Sequence, residues 1–540
     1  LRDLARYPLL LPVDPVVSET TLAFCQILDF SSKWPVLCGG NPLEQPIKKA
    51  FSHQSTRCGT PLPITQPDDP GALTQGLSPC ISTDRLTPPI PKRGVTGASP
   101  LRTLIETARN PLAIWTLNHF TRSHVTKTKS SGRTTITEIA LGRPDLIRHV
   151  LDNKAGRYGF FSGSLHCHDL NLSEGMGANQ PFAQSMAQFS LQALNGYFPA
   201  METEASLLAD KLLASQLDRD MPISPVMSDV VSRMIQTTLL AQVPDIESQM
   251  VMQTLEASLE ATGARDALTY LDVPAWVQRL SARLNQGPRA KLRQTVLQLV
   301  SSRRNRREYG LPPKTPDLIG ALINAFRAKP GLDDHDEQIT SMVIAILSTC
   351  YATSYQTLVW ALALLACAPD IQSKCAAEAR TLCADPAPMS SKIEAAQMVK
   401  AVISETLRLY PPVPVMRRTV LQDDLNHDLA IARGSTVLIS PWVLHRHHML
   451  WYDPDSFIPE RFSGEARHRI VPYTFLPFGG GEQTCIGFGY MMQATRLVVL
   501  ALLNQLTVHY PAGQTLPVPV QRVGLLPQSQ ISLIVRPRGP

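Results

Sequence analysis

Apolar positions recur with a helical period along most of this chain, and the longest uncharged run marks its centre. Residues 341–369 contain no Asp, Glu, Lys, Arg or His, although Ser348, Thr349, Thr353, Ser354, Gln356 and Thr357 interrupt the apolar side chains. Such a run is long enough to cross a bilayer. It lacks a flanking cluster of positive charge, so the pattern predicts a buried central helix. Residues 186–217, 226–240, 249–261 and 491–506 repeat apolar positions every three to four residues and predict further helices, the first interrupted at Pro199. Val399, Val402, Ile403 and Leu407 define one face of another helix, which Tyr410-Pro411-Pro412 ends. Residues 101–119 read as a helix broken near Pro111. Residues 134–140 alternate and are β-branched, a strand pattern. Pro144 suits the first turn of a short helix reaching Val150. Residues 431–439 read as a turn and strand, and 531–535 as a late strand. The fold class expected is mainly α with a small β region.

Residues 1–85 break from this pattern. They are rich in Pro, Ser and Thr, with scattered Cys and no sustained period. They are expected to form a poorly ordered extension of unknown role, ahead of one domain over residues 86–540. In the 540-residue chain, 44% apolar and 18% charged residues supply ample material for a large core. The net charge of +6 is mild and fits an acidic protein partner without specifying one. Ten cysteines form no CxxC pair, and Cys350, Cys367, Cys375 and Cys383 fall inside helical patterns. That is reduced, cytoplasmic usage. No positively charged start precedes an apolar run, so neither a signal peptide nor a transmembrane span is expected. The basic run Arg303-Arg304-Asn305-Arg306-Arg307 has no aromatic interleaving, so it is read as a solvated helix end and not a nucleic-acid surface. His166-Cys167-His168 and the His447-His448 pair lack the further ligands a metal site needs.

The chemistry concentrates in Phe478-Gly479-Gly480-Gly481-Glu482-Gln483-Thr484-Cys485-Ile486-Gly487. The three glycines let the backbone take positive φ and pass close to a large flat ligand. An apolar helix follows, so its free N–H groups and positive dipole end are expected to face the sulfur of Cys485 and to favour its thiolate. A thiolate on haem iron favours O–O cleavage. A glycine turn beside a buried structural cysteine would look the same in isolation, so the companion segments decide.

Phe478, Gly481, Cys485 and Gly487 resemble, at their spacing, the haem-binding signature of the cytochrome P-450 family. Three further segments match in order: residues 341–368, Ser404-Glu405-Thr406-Leu407-Arg408-Leu409-Tyr410-Pro411-Pro412, and Phe457-Ile458-Pro459-Glu460-Arg461-Phe462. The resemblance implies a cytochrome P-450 fold over about residues 88–538, with haem b between the long central helix and the helix after Cys485. It implies that Cys485 is the axial ligand of the iron and that Phe478 and Gly479 line the cofactor. Arg418 and Gln483 would bind a propionate, Gln483 standing where the family keeps a basic residue. Glu405, Arg408 and Arg461 would form a structural network, and Thr353 would assist O2 activation. The departures are also specific. Ala352 replaces the family's acid before the threonine, and Cys350 replaces the glycine two residues before that acid. Between Arg157 and Arg219 there is neither the Trp nor the Arg that the family directs at a propionate.

The function so implied is a monooxygenase that inserts one atom of O2 into a small apolar organic substrate. Its electrons would come from NAD(P)H through a separate ferredoxin or flavoprotein, since no flavin domain is visible in these residues. Ala352 keeps open a peroxide-using or isomerising enzyme. Gln483 and the missing Trp and Arg keep open a haem-binding protein without catalysis.

Overall fold

The computed structural model describes residues 86–89, 110, 112, 124–131, 134–153, 156–160, 189–215, 219–263, 286–308, 317–327, 335–425, 430–481 and 484–539. The extension over residues 1–85, most of the helix expected over 101–119, His166-Cys167-His168 and Gln483 lie outside them.

The described part is built around one long helix. In chain order, the helices that shape it are α1 (Pro144–Asp152), α2 (Leu191–Leu213), α3 (Ile223–Thr237), α4 (Asp245–Gly263), α5 (Gln286–Glu308), α6 (Leu318–Arg327), α7 (Asp336–Cys367), α8 (Pro369–Ala384), α9 (Gln397–Leu409) and α10 (Phe488–Gln505). Helix α7 is the uncharged run extended at its start by Asp336 and Glu337, whose carboxylates suit the positive end of the helix dipole. It packs against α3, α5, α6, α8, α9 and α10. By length and composition it is the one described helix able to cross a membrane, and 67% of its most apolar stretch is buried inside the protein. Its apolar surface is covered by other helices, as befits a helix that is apolar nearly all round.

Helix α2 runs unbroken through Pro199, where the sequence predicts an interruption. The ring faces outward, and the Pro199 carbonyl accepts from Thr203 Oγ1 at 2.9 Å. On that solvent side water can satisfy what the missing N–H leaves. The basic run closes α5 but is only partly solvated. Arg303 Nη1 reaches both oxygens of buried Asp317 at 2.6 and 2.7 Å, and Arg304 reaches Asp336 at 3.1 Å.

Strands occupy the margins. A five-stranded sheet runs in the order β1 (His124–Ser131), β2 (Thr134–Leu141), β6 (Thr436–Ile439), β5 (Met416–Val420), β3 (Tyr158–Phe160). Only β2 and β6 pair in parallel. Strands β4 (Asp220–Pro222), β10 (Ser532–Pro537) and β7 (Leu506–His509) form a second sheet, and β8 (Pro519–Arg522) and β9 (Gly524–Pro527) a hairpin. Helix α1 lies on the first sheet. Leu146, Ile147, Val150 and Leu151, at helical spacing, are buried with Met416, Val420, Val437 and Ile439. The same region holds a buried carboxylate that the sequence does not announce. Asp424 accepts from Tyr158 Oη at 2.5 Å and pairs with His149 at 2.6 Å and Arg157 at 3.3 Å. This ties α1 and β3 to the turn after β5.

Candidate functional site

The scaffold beneath the cysteine loop begins on α9. The predicted apolar positions Val399, Val402, Ile403 and Leu407 are all buried, and so are Glu405 and Arg408. One helical turn brings the two charges together. Arg408 Nε and Nη2 donate to Glu405 Oε2 and Oε1 at 2.7 and 2.8 Å, the two-pronged geometry that makes arginine–carboxylate pairs strong. The remaining Arg408 donors go to the carbonyls of His445, Pro454 and Ser456 at 2.7, 2.6 and 3.0 Å. Glu405 Oε1 also accepts from the Ile458 N–H at 2.8 Å and from Arg461 Nε at 3.4 Å. Arg461 Nη2 donates to the Asp453 carbonyl at 2.6 Å. Glu405, Arg408 and Arg461 therefore meet in one network that fixes residues 453–461 against α9.

His445 carries this order into the loop. Its Nδ1–H donates to the Arg408 carbonyl at 3.1 Å, and its Nε2 accepts from the Leu476 N–H at 2.8 Å. Burial, helped by the nearby Arg408 charge, pushes its pKa down to about 3, so the ring is neutral. The part of His445 in holding Leu476, two residues before Phe478, emerges from the fold.

The loop closes tightly. Gly479 and Gly481 both have positive φ, 73° and 67°. At Gly481 glycine is obligatory on two grounds: a Cβ there would lie 2.0 Å from the Leu151 carbonyl oxygen, and the backbone is left-handed. The Cys485 N–H donates to the Phe478 carbonyl at 2.9 Å, and Phe478 meets Phe488 edge to face at 4.7 Å. The backbone N–H groups of Gly487 and Phe488 lie near the sulfur of Cys485 and favour its charged form, the Phe488 N–H donating to the Cys485 carbonyl at 3.4 Å. This is the helix N-terminus the sequence leads one to expect. The direction of the thiol's pKa is nonetheless upward. Burial outweighs the two N–H donors that pull it down, so the helix end alone does not produce a thiolate. A coordinating metal deprotonates a thiol outright, by its own charge.

Helix α7 meets the loop at Gly487. That residue has φ −78°, which any residue adopts. A Cβ built on it would touch only the Sγ of Cys350 at 3.6 Å and the Sγ of Cys485 at 3.8 Å. Neither the backbone nor the packing requires glycine here, and the position faces both sulfurs. Thr353, three residues after Cys350, neighbours it on the helix surface. Its hydroxyl donates to the Thr349 carbonyl at 2.8 Å, as Thr349 does to Ala345 and Thr357 to Thr353. The proton of Thr353 is therefore held by its own helix, and its lone pairs can accept. Ala352 is buried and offers no proton.

Arg418 stands on β5, buried, with Nη1 donating to the Arg417 carbonyl at 2.9 Å. Gln483, the other expected propionate partner, lies outside the described residues. In chemistry the donor set suits a haem: a cysteine sulfur at the start of α10, a glycine beside it whose Cβ would meet only two sulfurs, and a buried guanidinium.

Comparison with known proteins bears on the same residues. The family model described as Cytochrome P450 matches residues 130–535, most of the chain. Cytochrome P450 3A41 of Mus musculus is 32% identical over 228 residues, 41% of this chain and 45% of that protein. Cytochrome P450 3A31 of Mesocricetus auratus is 31% identical over 243 residues, 44% of this chain and 48% of that protein. The chain spans about half the length of the curated relatives it matches. Among solved structures, the crystal structure of the cytochrome P450DA heme domain aligns with a TM-score of 0.62 at 22% identity, covering 78% of this chain and 90% of that one. A mutant of the same heme domain reaches 0.66, covering 84% and 98%. These likenesses show a shared fold, and with the family model extending from the first strand to the last, the chain belongs to the cytochrome P450 family.

Proposed function

We propose that this protein is a haem-thiolate monooxygenase. It inserts one atom of O2 into a small apolar organic substrate and reduces the other to water, drawing two electrons from NAD(P)H through a separate ferredoxin or flavoprotein. The observation that carries this reading is the sulfur of Cys485 at the start of α10, beside the left-handed glycine turn of Gly479 and Gly481. When bound, haem b supplies the iron at which O2 is activated. The chain supplies the setting. Cys485 would hold the iron, with the Gly487 and Phe488 N–H groups nearby favouring the charged form of its sulfur. Phe478 and Gly479 line the cofactor. Arg418, with Gln483, offers hydrogen bonds to a propionate, for which a planar guanidinium is suited. Thr353, whose hydroxyl donates to the Thr349 carbonyl and keeps its lone pairs free to accept, would assist O2 activation. Glu405, Arg408 and Arg461 keep the loop in register.

A peroxide-using or isomerising enzyme of the same class is favoured by one residue, Ala352, which is buried where related sequences keep an acid. The two readings separate on whether turnover needs NAD(P)H and a reductase or proceeds with peroxide alone. The test of the shared premise is the carbon monoxide spectrum of the reduced protein. A thiolate-type Soret band is expected in the wild type and its loss in Cys485→Ser. Haem bound without that band, or the band surviving in the variant, ends the proposal.

A further inference from the structure

We infer that Tyr473 is a positioning residue for Cys485: its ring and hydroxyl, carried on a strained backbone, set the cysteine loop against the last turn of α1. This rests on the haem-thiolate reading and adds to it a residue that acts on the ligand through the loop.

The first observation is conformational. Among the described residues, those other than glycine with positive φ are Asn153, Asp453 and Tyr473, the last at 64°. Asn and Asp visit this region readily, whereas a bulky residue there is strained. The Thr474 N–H donates to the Val471 carbonyl at 3.2 Å and closes the turn Val471-Pro472-Tyr473-Thr474. Proline in the second place and positive φ in the third define the turn type that takes glycine or asparagine third. Tyrosine stands there instead, and its side chain shows what the strain supports. The hydroxyl donates to Asp152 Oδ1 at the end of α1, and that carboxylate, ahead of burial, raises the Tyr473 pKa, so the phenol keeps its proton. Arg148, one helical turn earlier, pairs with Asp152 at 3.3 Å and lies 5.8 Å from the centre of the Tyr473 ring. On the loop side, a Cβ on Gly480 would meet Tyr473 Cε1 at 3.4 Å and Leu151 Cδ1 at 3.5 Å. The ring therefore bridges the end of α1 and the middle of the glycine run. A strained residue held by surrounding contacts beside a ligand loop is the pattern of a site constraint.

The experiment uses the full chain loaded with haem. It follows haem transfer to apomyoglobin and the Soret band of the reduced carbon monoxide complex. Wild type is compared with Tyr473→Phe, Asp152→Ala, their double variant and Tyr473→Gly, with circular dichroism melting as the measure of folding. Phenylalanine keeps the ring and the strain but drops the hydroxyl, whereas glycine relaxes the turn and drops the ring. Tyr473→Phe is expected to lose haem about tenfold faster, near the value of one hydrogen bond to a charged group. Part of its thiolate band should give way to a neutral-thiol band while melting changes little. The double variant should be no worse than the poorer single one, as for two ends of one bond. Tyr473→Gly should lose haem fastest although its backbone is the most relaxed. Haem retention and a thiolate band equal to wild type in Tyr473→Gly overturn the inference. A fall in melting temperature that accounts for the faster loss also overturns it, since the residue then only holds the fold. If the wild-type band does not depend on Cys485, the haem-thiolate reading falls, and the inference with it.

Discussion

Glu405 and Arg408 are buried on α9, and besides each other they bind one side chain, Arg461, and four backbone groups. Pairing is what makes such charges tolerable in a protein interior. Glu405→Gln keeps the shape but leaves Arg408 and Arg461 buried without their carboxylate. We expect a loss of about 3–5 kcal/mol, read as a lower urea midpoint. That is a large part of the roughly 5–15 kcal/mol by which a protein usually holds together. His445 gives a pH signature. Its folded pKa, about 3, lies below the ordinary 6.5, so the unfolded chain binds a proton that the folded chain refuses. The contribution of the neutral ring is complete above pH 6.5 and is lost as pH falls towards 3, at about 1.4 kcal/mol per pH unit. Unfolding free energies measured across that window should fall more steeply for wild type than for His445→Gln. Parallel curves would rule out this role for the ring.

At the scale of elements, the cysteine loop is the most exacting piece. Gly481→Ala imposes a left-handed alanine, which costs about 1–2 kcal/mol, and a collision with the Leu151 carbonyl. We expect the variant to fold with a displaced loop, seen as a clear drop in bound haem per chain while far-UV circular dichroism changes little. The elements differed in how plainly they could be read. Helices α7 and α10 are marked by the length of their apolar runs, and α9 by one apolar face. Strand β1 was missed because His124–Ser131 reads HVTKTKSS, polar on both faces, as an edge strand that resists further pairing must be. Helix α6 was missed because ten mostly apolar residues, LIGALINAFR, make a short run, although Leu318, Ile319, Leu322, Ile323 and Phe326 bury one face of it. Helix α5 was read only at its basic end, because its polar and basic residues hide a narrow buried stripe at Leu292, Val296, Leu299 and Val300.

Across the whole molecule, the site combines residues that sequence can and cannot connect. Cys485, Glu405, Arg408 and Arg461 belong to short segments whose spacing is fixed by local chemistry, and so they were legible. The approach of Cys350 to Gly487 joins two helices far apart in the chain. Its only trace in the sequence is an unexpected residue type at position 350. The Asp424 cluster was silent for the same reason: its partners come from α1, β3 and the segment between, and no local pattern names them.

The far half of α7 governs something beyond its own packing. Gln356 Nε2 donates to the Val523 carbonyl at 3.2 Å and its Oε1 accepts from the Leu525 N–H at 3.2 Å, while the Trp360 indole N–H donates to the Leu525 carbonyl at 2.8 Å. Two side chains thus impersonate a missing neighbour strand for the β8–β9 hairpin. The hairpin's posture is dictated from the same rod that bears Thr353, so a family member that drifted at position 356 could reshape this corner while leaving its haem ligand and its fold alone.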